Sequence, residues 1–155
     1  MKILRVTCIV ALVLAMAVVS YAAEKRTASI MSIDGSAQVK PAGQAIFIPA
    51  SVGMVLNEGD SIKTAAKSWV LLNVDGKGQT ATVEVKENSQ MLLSELMVDP
   101  KAGTSKTLLD LAMGEVLIKA QKVHGEESKF EVKTPTSIVG VRGTTFNVKV
   151  EAVEE

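Results

Sequence analysis

Thr134-Pro135-Thr136-Ser137-Ile138-Val139-Gly140-Val141-Arg142-Gly143-Thr144-Thr145-Phe146-Asn147-Val148 is the stretch that decides the fold. Pro135 fixes its own φ and pushes Thr134 toward an extended shape. Gly140 and Gly143 allow positive φ or the close approach of another strand. Phe146, Val148 and Val150 then alternate with Thr145, Asn147 and Lys149, the period of a half-buried strand. The polar groups on offer are Arg142 and a few hydroxyls. No nucleophile, base or metal ligand stands among them, so the stretch reads as folding chemistry.

The same period recurs on either side. Ala81, Val83 and Val85 alternate with Thr82 and Glu84, and Phe130 and Val132 with Glu131. Val116, Ile118 and Ala120 alternate less cleanly with Leu117 and Lys119. Trp69 to Val74 is an apolar run broken only by Asn73, which predicts a strand buried on both faces. Ser89 to Val98 and Thr107 to Met113 are rich in Leu and Met and fit helix or strand. Their shortness and their Gly, Pro or Asn borders favour strands. Asp99 to Ser105 reads as a loop. Turns are predicted at Asp34-Gly35, Glu58-Gly59-Asp60, Asp75 to Gly78, Met113-Gly114 and His124-Gly125. Many short strands at this spacing predict an all-β fold: a sandwich, a barrel or a solenoid-like coil of strands.

The first residues read as a secretory signal peptide, expected to be helical. Lys2 and Arg5 give the positive start, Cys8 to Val19 the apolar run, and Ser20-Tyr21-Ala22 the small residues at a cleavage site. The run is shorter than the ~20 residues of a bilayer span. Cleavage after Ala22 is expected, so that no stable membrane span remains; a retained, uncleaved anchor is the alternative. Cleavage removes 22 of the 155 residues and leaves 133, one ordinary domain. It also removes Cys8, the only cysteine, so an exported domain without disulfides must rest on its apolar core. That points to a bacterial exported protein. Loss of Lys2 and Arg5 leaves 15 basic against 17 acidic residues, a net charge of −2. No basic surplus is left for nucleic acid or anionic lipid. The expected organisation is a signal peptide at 1–22, a disordered lead-in at 23–27, one β domain at 28–150 and a solvated acidic tail at 151–155.

These residues resemble the FecR domain of bacterial periplasmic proteins. The resemblance starts at Gly35 and Val39. It runs through Leu56-Asn57-Glu58-Gly59-Asp60-Ser61-Ile62-Lys63-Thr64, Ser68, Leu72, Asp75-Gly76 and Leu111-Ala112-Met113-Gly114-Glu115-Val116. It closes with Phe130 to Pro135 and Val141 to Val148. The last two pieces together are specific, whereas a lone Asp-Gly turn is not. The resemblance implies an all-β periplasmic domain. In the family's best-known members that domain belongs to a membrane-spanning regulator, which relays a signal from an outer-membrane iron-siderophore transporter to a sigma factor. No sigma-binding segment or transporter-contacting domain is read in this sequence. The expectation carried over is therefore a periplasmic protein-binding or structural module, whose partner is an envelope protein or matrix component.

Seven residues stand out as structural or partner-binding candidates: Pro135, Gly140, Arg142, Gly143, Thr144, Gly59 and Asp60. Arg142 could offer its guanidinium fork to a partner, or turn inward and satisfy turn carbonyls. The inward role is the expectation, and under it Arg142→Ala lowers stability. Asp60 and Asp75 are expected in turns, where a short carboxylate bonds its own backbone. Neither lies in an Asp-x-Asp-x-Asp calcium loop. His124 is the only histidine and has no further His or Cys in a ligand pattern, so a solvated loop role is expected. No Gly-x-Ser-x-Gly elbow or paired-carboxylate pattern appears. No catalytic residue, cofactor or metal is expected, and the protein is expected not to be an enzyme. Trp69, Phe47, Phe130 and Phe146 could form a sugar-stacking face, but so few aromatics are expected in the core. Ala42 to Pro49 is likewise assigned to the core; were Phe47 and Ile48 exposed, they would form a contact patch. Met54, Met91 and Met113 are expected to fill gaps.

Overall fold

The computed structural model describes residues 24–74, 81–120, 128–141, 143 and 145–151. Among them every helix or strand is a strand, and together they form one curled, mostly antiparallel sheet, a half-barrel. The expected signal helix lies outside the described residues. No helix among the described residues is long and apolar enough to cross a membrane.

Four long, bent strands make the frame. β2 (Ala28–Asp34) runs on into β3 (Ala37–Lys40), β6 (Ser61–Thr64) into β7 (Trp69–Asn73), and β8 (Ala81–Val85) into β9 (Gln90–Asp99). β10 (Thr104–Ala120) is one unbroken strand. Neighbours pair antiparallel on both sides of the bend. β3 and β2 pair with β6 and β7, those with β9 and β8, and those in turn with β10. Each bent strand turns at a residue of positive φ: Gly35 (+78°), Lys67 (+52°), Asn88 (+52°) and Gly114 (+92°). Such a residue swings the chain out of the pleat without ending its pairing.

Side-chain hydroxyls stitch this bend line. The Ser36 N–H donates to Ser68 Oγ at 2.9 Å, the Ser89 N–H to Thr64 Oγ1 at 3.0 Å and the Glu115 N–H to Ser89 Oγ at 2.9 Å. Thr64, Ser68 and Ser89 are all buried. Their hydroxyls replace ladder bonds that the bend interrupts, which is what buried polar groups require.

The bend lets the two halves of the sheet face each other. One half carries β3, β6, β9 and the first part of β10, with β1 (Glu24–Lys25) and β4 (Ile48–Pro49) at one side. β11 (Lys129–Lys133) extends this half beyond β10 as a parallel neighbour, and β12 (Ile138–Val141) pairs with β11. The other half runs from β5 (Val55–Leu56) through β2, β7, β8 and the second part of β10 to β13 (Thr145–Val150). Ile30, Leu72, Val83, Met91, Leu93, Leu109, Leu111, Val116 and Ile118 fill the space between them.

The alternations at 81–85 and 130–132 put their apolar members inward as expected, and both ambiguous Leu/Met segments are strands. Several expectations are corrected. Trp69 to Val74 is not buried on both faces. Val70 and Leu72 point into the core, while Trp69 and Leu71 are half-buried. Met113-Gly114 is no turn but part of β10, because Gly114 bends the strand without reversing it. Asp99, Thr104 and Ser105 belong to strands, which shortens that loop. The lead-in is ordered from Glu24 on: β1 pairs with β9, and Arg26 donates from Nε to Met97 O at 3.0 Å and from Nη2 to Thr107 Oγ1 at 2.6 Å. Arg26 is half-buried, and its bonds to three backbone and hydroxyl acceptors outweigh the polar composition that suggested disorder.

The 42–49 segment is not core either. Ile46 is 71% exposed and Ile48 39%, and Phe47 is half-buried beneath Lys40, whose Nζ lies 5.7 Å from the ring centre. Of the four aromatics only Phe130 is fully buried; Phe146 is half-buried and packs on the core edge. Met91 fills the core, but Met113 is exposed.

Candidate functional site: the open side of the half-barrel

β11 and β13 pair with the same edge of β10, β11 along residues 106–110 and β13 along 114–119. One runs parallel to β10 and the other antiparallel, so they diverge at Ala112 and Met113. A groove of about 560 Å³ opens between them. Its floor includes Ala112, Met113, Val139, Val148 and Val150; its walls are Thr134 to Ser137 on one side and Asn147, Lys149 and Glu151 on the other.

The wall at 134–137 is a tight turn. The Thr134 N–H donates to Ser137 O at 2.8 Å, and the Ser137 N–H donates to Thr134 Oγ1 at 3.0 Å. Thr134 is buried, which leaves Pro135, Thr136 and Ser137 facing out. On the opposite wall Asn147 donates from Nδ2 to Glu115 Oε1 at 3.0 Å. Lys149 Nζ meets Glu151 Oε1 at 2.9 Å. That hydrogen bond raises the lysine above its ordinary pKa and holds the carboxyl below the usual carboxylate range. The Lys149 and Glu151 charges are thus matched within the chain, whereas the Glu115 carboxylate meets the neutral Asn147 amide.

The structure divides the seven residues singled out from the sequence. Pro135 lines the groove. Gly140 lies on β12, exposed, with nothing within 4 Å of where a Cβ would stand. Gly143 has φ +66° and joins the approach to β13. Arg142 and Thr144 lie outside the described residues, as do Asp75 and His124. Gly59 and Asp60 are elsewhere, on the turn between β5 and β6. Gly59 has φ +92°, and its N–H donates to Leu93 O at 2.7 Å. The Asp60 carboxylate, only 5% exposed, accepts from the Ala42 N–H and the Asn57 N–H, each at 2.8 Å. It clamps two chain segments together, which is turn chemistry.

Sequence reasoning missed Met113, Asn147, Lys149 and Glu151 as groove residues. Nothing in the period of β13 shows which of its edges lacks a neighbour. Among the described residues no three of His, Cys, Asp and Glu gather as a metal-binding group. Met31, Ile46, Ile48, Val52 and Val55 are further exposed apolar side chains, along or between β2, β4 and β5.

The fold and the groove define an all-β module with an open, strand-edged side. A family model described as FecR protein matches residues 60–154. That is more than half of the chain, and the chain belongs to this family. The match starts at the buried Asp60 and takes in the bend at Gly114 and the whole open side. Membership makes the chain an envelope-associated, protein-interacting module of a kind related to signalling. Neither a curated protein nor a solved structure matches it.

Proposed function

We propose that this protein is an exported, non-enzymatic FecR module that binds a protein partner or scaffolds one in the bacterial periplasm, after its signal peptide is cleaved. The open groove carries this reading. The two stretches that carry the closing part of the family likeness, Phe130 to Pro135 and Val141 to Val148, contribute Thr134, Pro135, Asn147 and Val148 to its lining. The groove's polar groups are hydroxyls, an amide and a self-matched ion pair, suited to holding a surface and not to moving protons. The partner is an envelope protein or matrix component, and no cofactor takes part.

The test is photo-crosslinking in envelope extract, with the probe at Thr136 and, as control, at Lys63, the exposed residue of β6. A protein captured from Thr136 alone, and lost on Ser137→Arg, supports the reading. Capture of glycan only, or turnover of a substrate that one groove side chain controls, defeats it. Family membership favours a second reading, a sensor in envelope or iron-uptake signalling that acts with a separate membrane regulator. A sigma factor and an outer-membrane receptor encoded beside this gene would support it.

A further inference from the structure

Exposed strand edges attract other strands, and proteins usually blunt them. β4 is two residues long and carries Pro49, which has no N–H to offer. β1 and β5 are also two residues long. β12 has four residues, one of them Gly140. β13 has six residues, without Pro or Gly, and among the described residues its strand partner is β10, along one edge. Among the described residues no backbone group bonds its other edge. Six residues at about 3.4 Å each give an edge of roughly 20 Å.

Two further observations say what would lie there. Phe146 and Val150 point toward the core but stay half-buried, whereas Val148 between them is buried. The core is therefore uncovered along β13, with Met113 exposed at the groove floor, 40% open. An added strand would cover it with every second side chain. The outward residues Asn147 and Lys149 already have partners in Glu115 and Glu151. With Lys149 taken up by Glu151 and the Glu115 carboxylate close by, an acidic neighbour would meet no free counter-charge on this wall, so the matching segment carries no acidic side chain.

We propose that the free edge of β13 receives an extended segment of a partner protein as an added strand, apolar at alternate positions and without acidic side chains over the paired span. Main-chain hydrogen bonds supply the attraction, and the groove selects the inward side chains. This rests on the protein-binding reading above and names its mode.

The probe is an uncharged hexapeptide alternating threonine and valine, added at millimolar concentration to the ¹⁵N-labelled exported protein. The same peptide is also joined to the C-terminus through a flexible linker, which sets an effective concentration of about millimolar. Amide shifts are expected at 145–150 and 134–137. Hydrogen exchange is expected to slow at least tenfold at alternate β13 amides in the tethered protein. N-methylation of one alternate set of peptide amides should abolish the effect, and of the other set leave it. Aspartate in place of valine should also abolish it.

Unprotected β13 amides in the tethered protein overturn the proposal. So do equal effects of both N-methylated peptides, shifts confined to Met31, Val52 and Val55, or occupation of the edge by a second copy, seen as a dimer by sedimentation. If the Thr136 crosslink persists while the peptide fails, strand addition falls and protein binding stands. If both fail, both fall.

Discussion

Replacing Gly114 by alanine attacks the bend where β10 crosses the start of β9. Gly114 holds φ at +92°, and an alanine Cβ there would stand 2.4 Å from Ser89 Cα and 2.2 Å from Ser89 Oγ. The conformation alone costs about 1–2 kcal/mol for a residue with a Cβ. Normal carbon contacts lie at about 3.5–4.0 Å, so one strand must move by more than an ångström. Overpacking of that kind costs a further ~1–3 kcal/mol. The shift would also stretch the Glu115 N–H bond to Ser89 Oγ, now 2.9 Å. The expected loss is about 2–5 kcal/mol, a large part of a typical stability of roughly 5–15 kcal/mol.

Gly103→Ala is the control. Gly103 also has positive φ, +64°, but nothing lies within 4 Å of its Cβ position. Its cost should be the conformational part alone. Urea unfolding followed by the fluorescence of Trp69, the only tryptophan, reports both variants. Gly114→Ala should lose at least ~1–3 kcal/mol more than Gly103→Ala, the overpacking part. Ser89→Gly should not rescue it, because the closest obstruction besides the hydroxyl is the Ser89 Cα, which is backbone. Equal stability of the two alanine variants, within about 0.5 kcal/mol, would refute the close approach.

Gly35→Ala differs in kind: its Cβ would meet Ser68 Oγ at 2.3 Å and Ser68 Cβ at 2.8 Å, both side-chain atoms. Ser68→Gly should therefore recover part of the loss in the double variant, and a double-variant cycle in urea checks this. At Glu58 the Leu96 N–H, then Lys25 at 3.2 Å, holds the carboxyl below the usual carboxylate range. A lowered folded pKa means stability that is present above the unfolded value and lost as pH falls through the folded one. Glu58→Gln should flatten the acid side of a thermal-midpoint profile below about pH 4.5 and change its slope little near neutrality. An unchanged acid limb would count against the pairing. Gly140→Ala should be neutral or stabilising by up to about 1 kcal/mol in the same urea assay, because its φ is ordinary and the space around it is open.

Period 2 was enough to read the inward residues of β8, β11 and β13, because each has one face on a core and one toward water. The bend line was not readable. Lys67 and Asn88 look like ordinary loop residues, and only their left-handed φ, matched in register with Gly35 and Gly114, shows that four strands turn together. Local pattern carries no record of which strand lies beside which. For the same reason the groove was hidden, since it exists only because β11 and β13 share one edge of β10 in opposite senses. Arg26 was lost to composition: a charged residue after a signal segment looks solvated until its acceptors on Met97 and Thr107, far along the chain, are in place. The Ala42 to Pro49 segment misled in the other direction, because an apolar run at a sheet edge looks like a core strand.

The residues singled out from the sequence, for the family likeness or as candidates, fall into two groups with different physical reasons. Gly35, Ser68 and Gly114 are demanded by the bend: two are packed against a neighbouring strand where no Cβ fits, and the third supplies the hydroxyl that the Ser36 N–H needs. Asp60 is demanded by its two N–H donors. The exposed residues Pro135 and Gly140 are not demanded in this way. Pro135 faces solvent on a turn already held by Thr134 and Ser137, and Gly140 has room for a side chain and no need of positive φ. A glycine in a strand costs about 0.5–1 kcal/mol relative to alanine, so its presence on the rim of the open side asks for a reason other than folding. Bare backbone beside a groove is what a docking partner needs for close approach. Gly140→Ala therefore separates the two: a variant that gains stability yet loses the Thr136 crosslink marks β12 as part of the docking face. One that keeps full capture confines docking to β13 and the 134–137 turn.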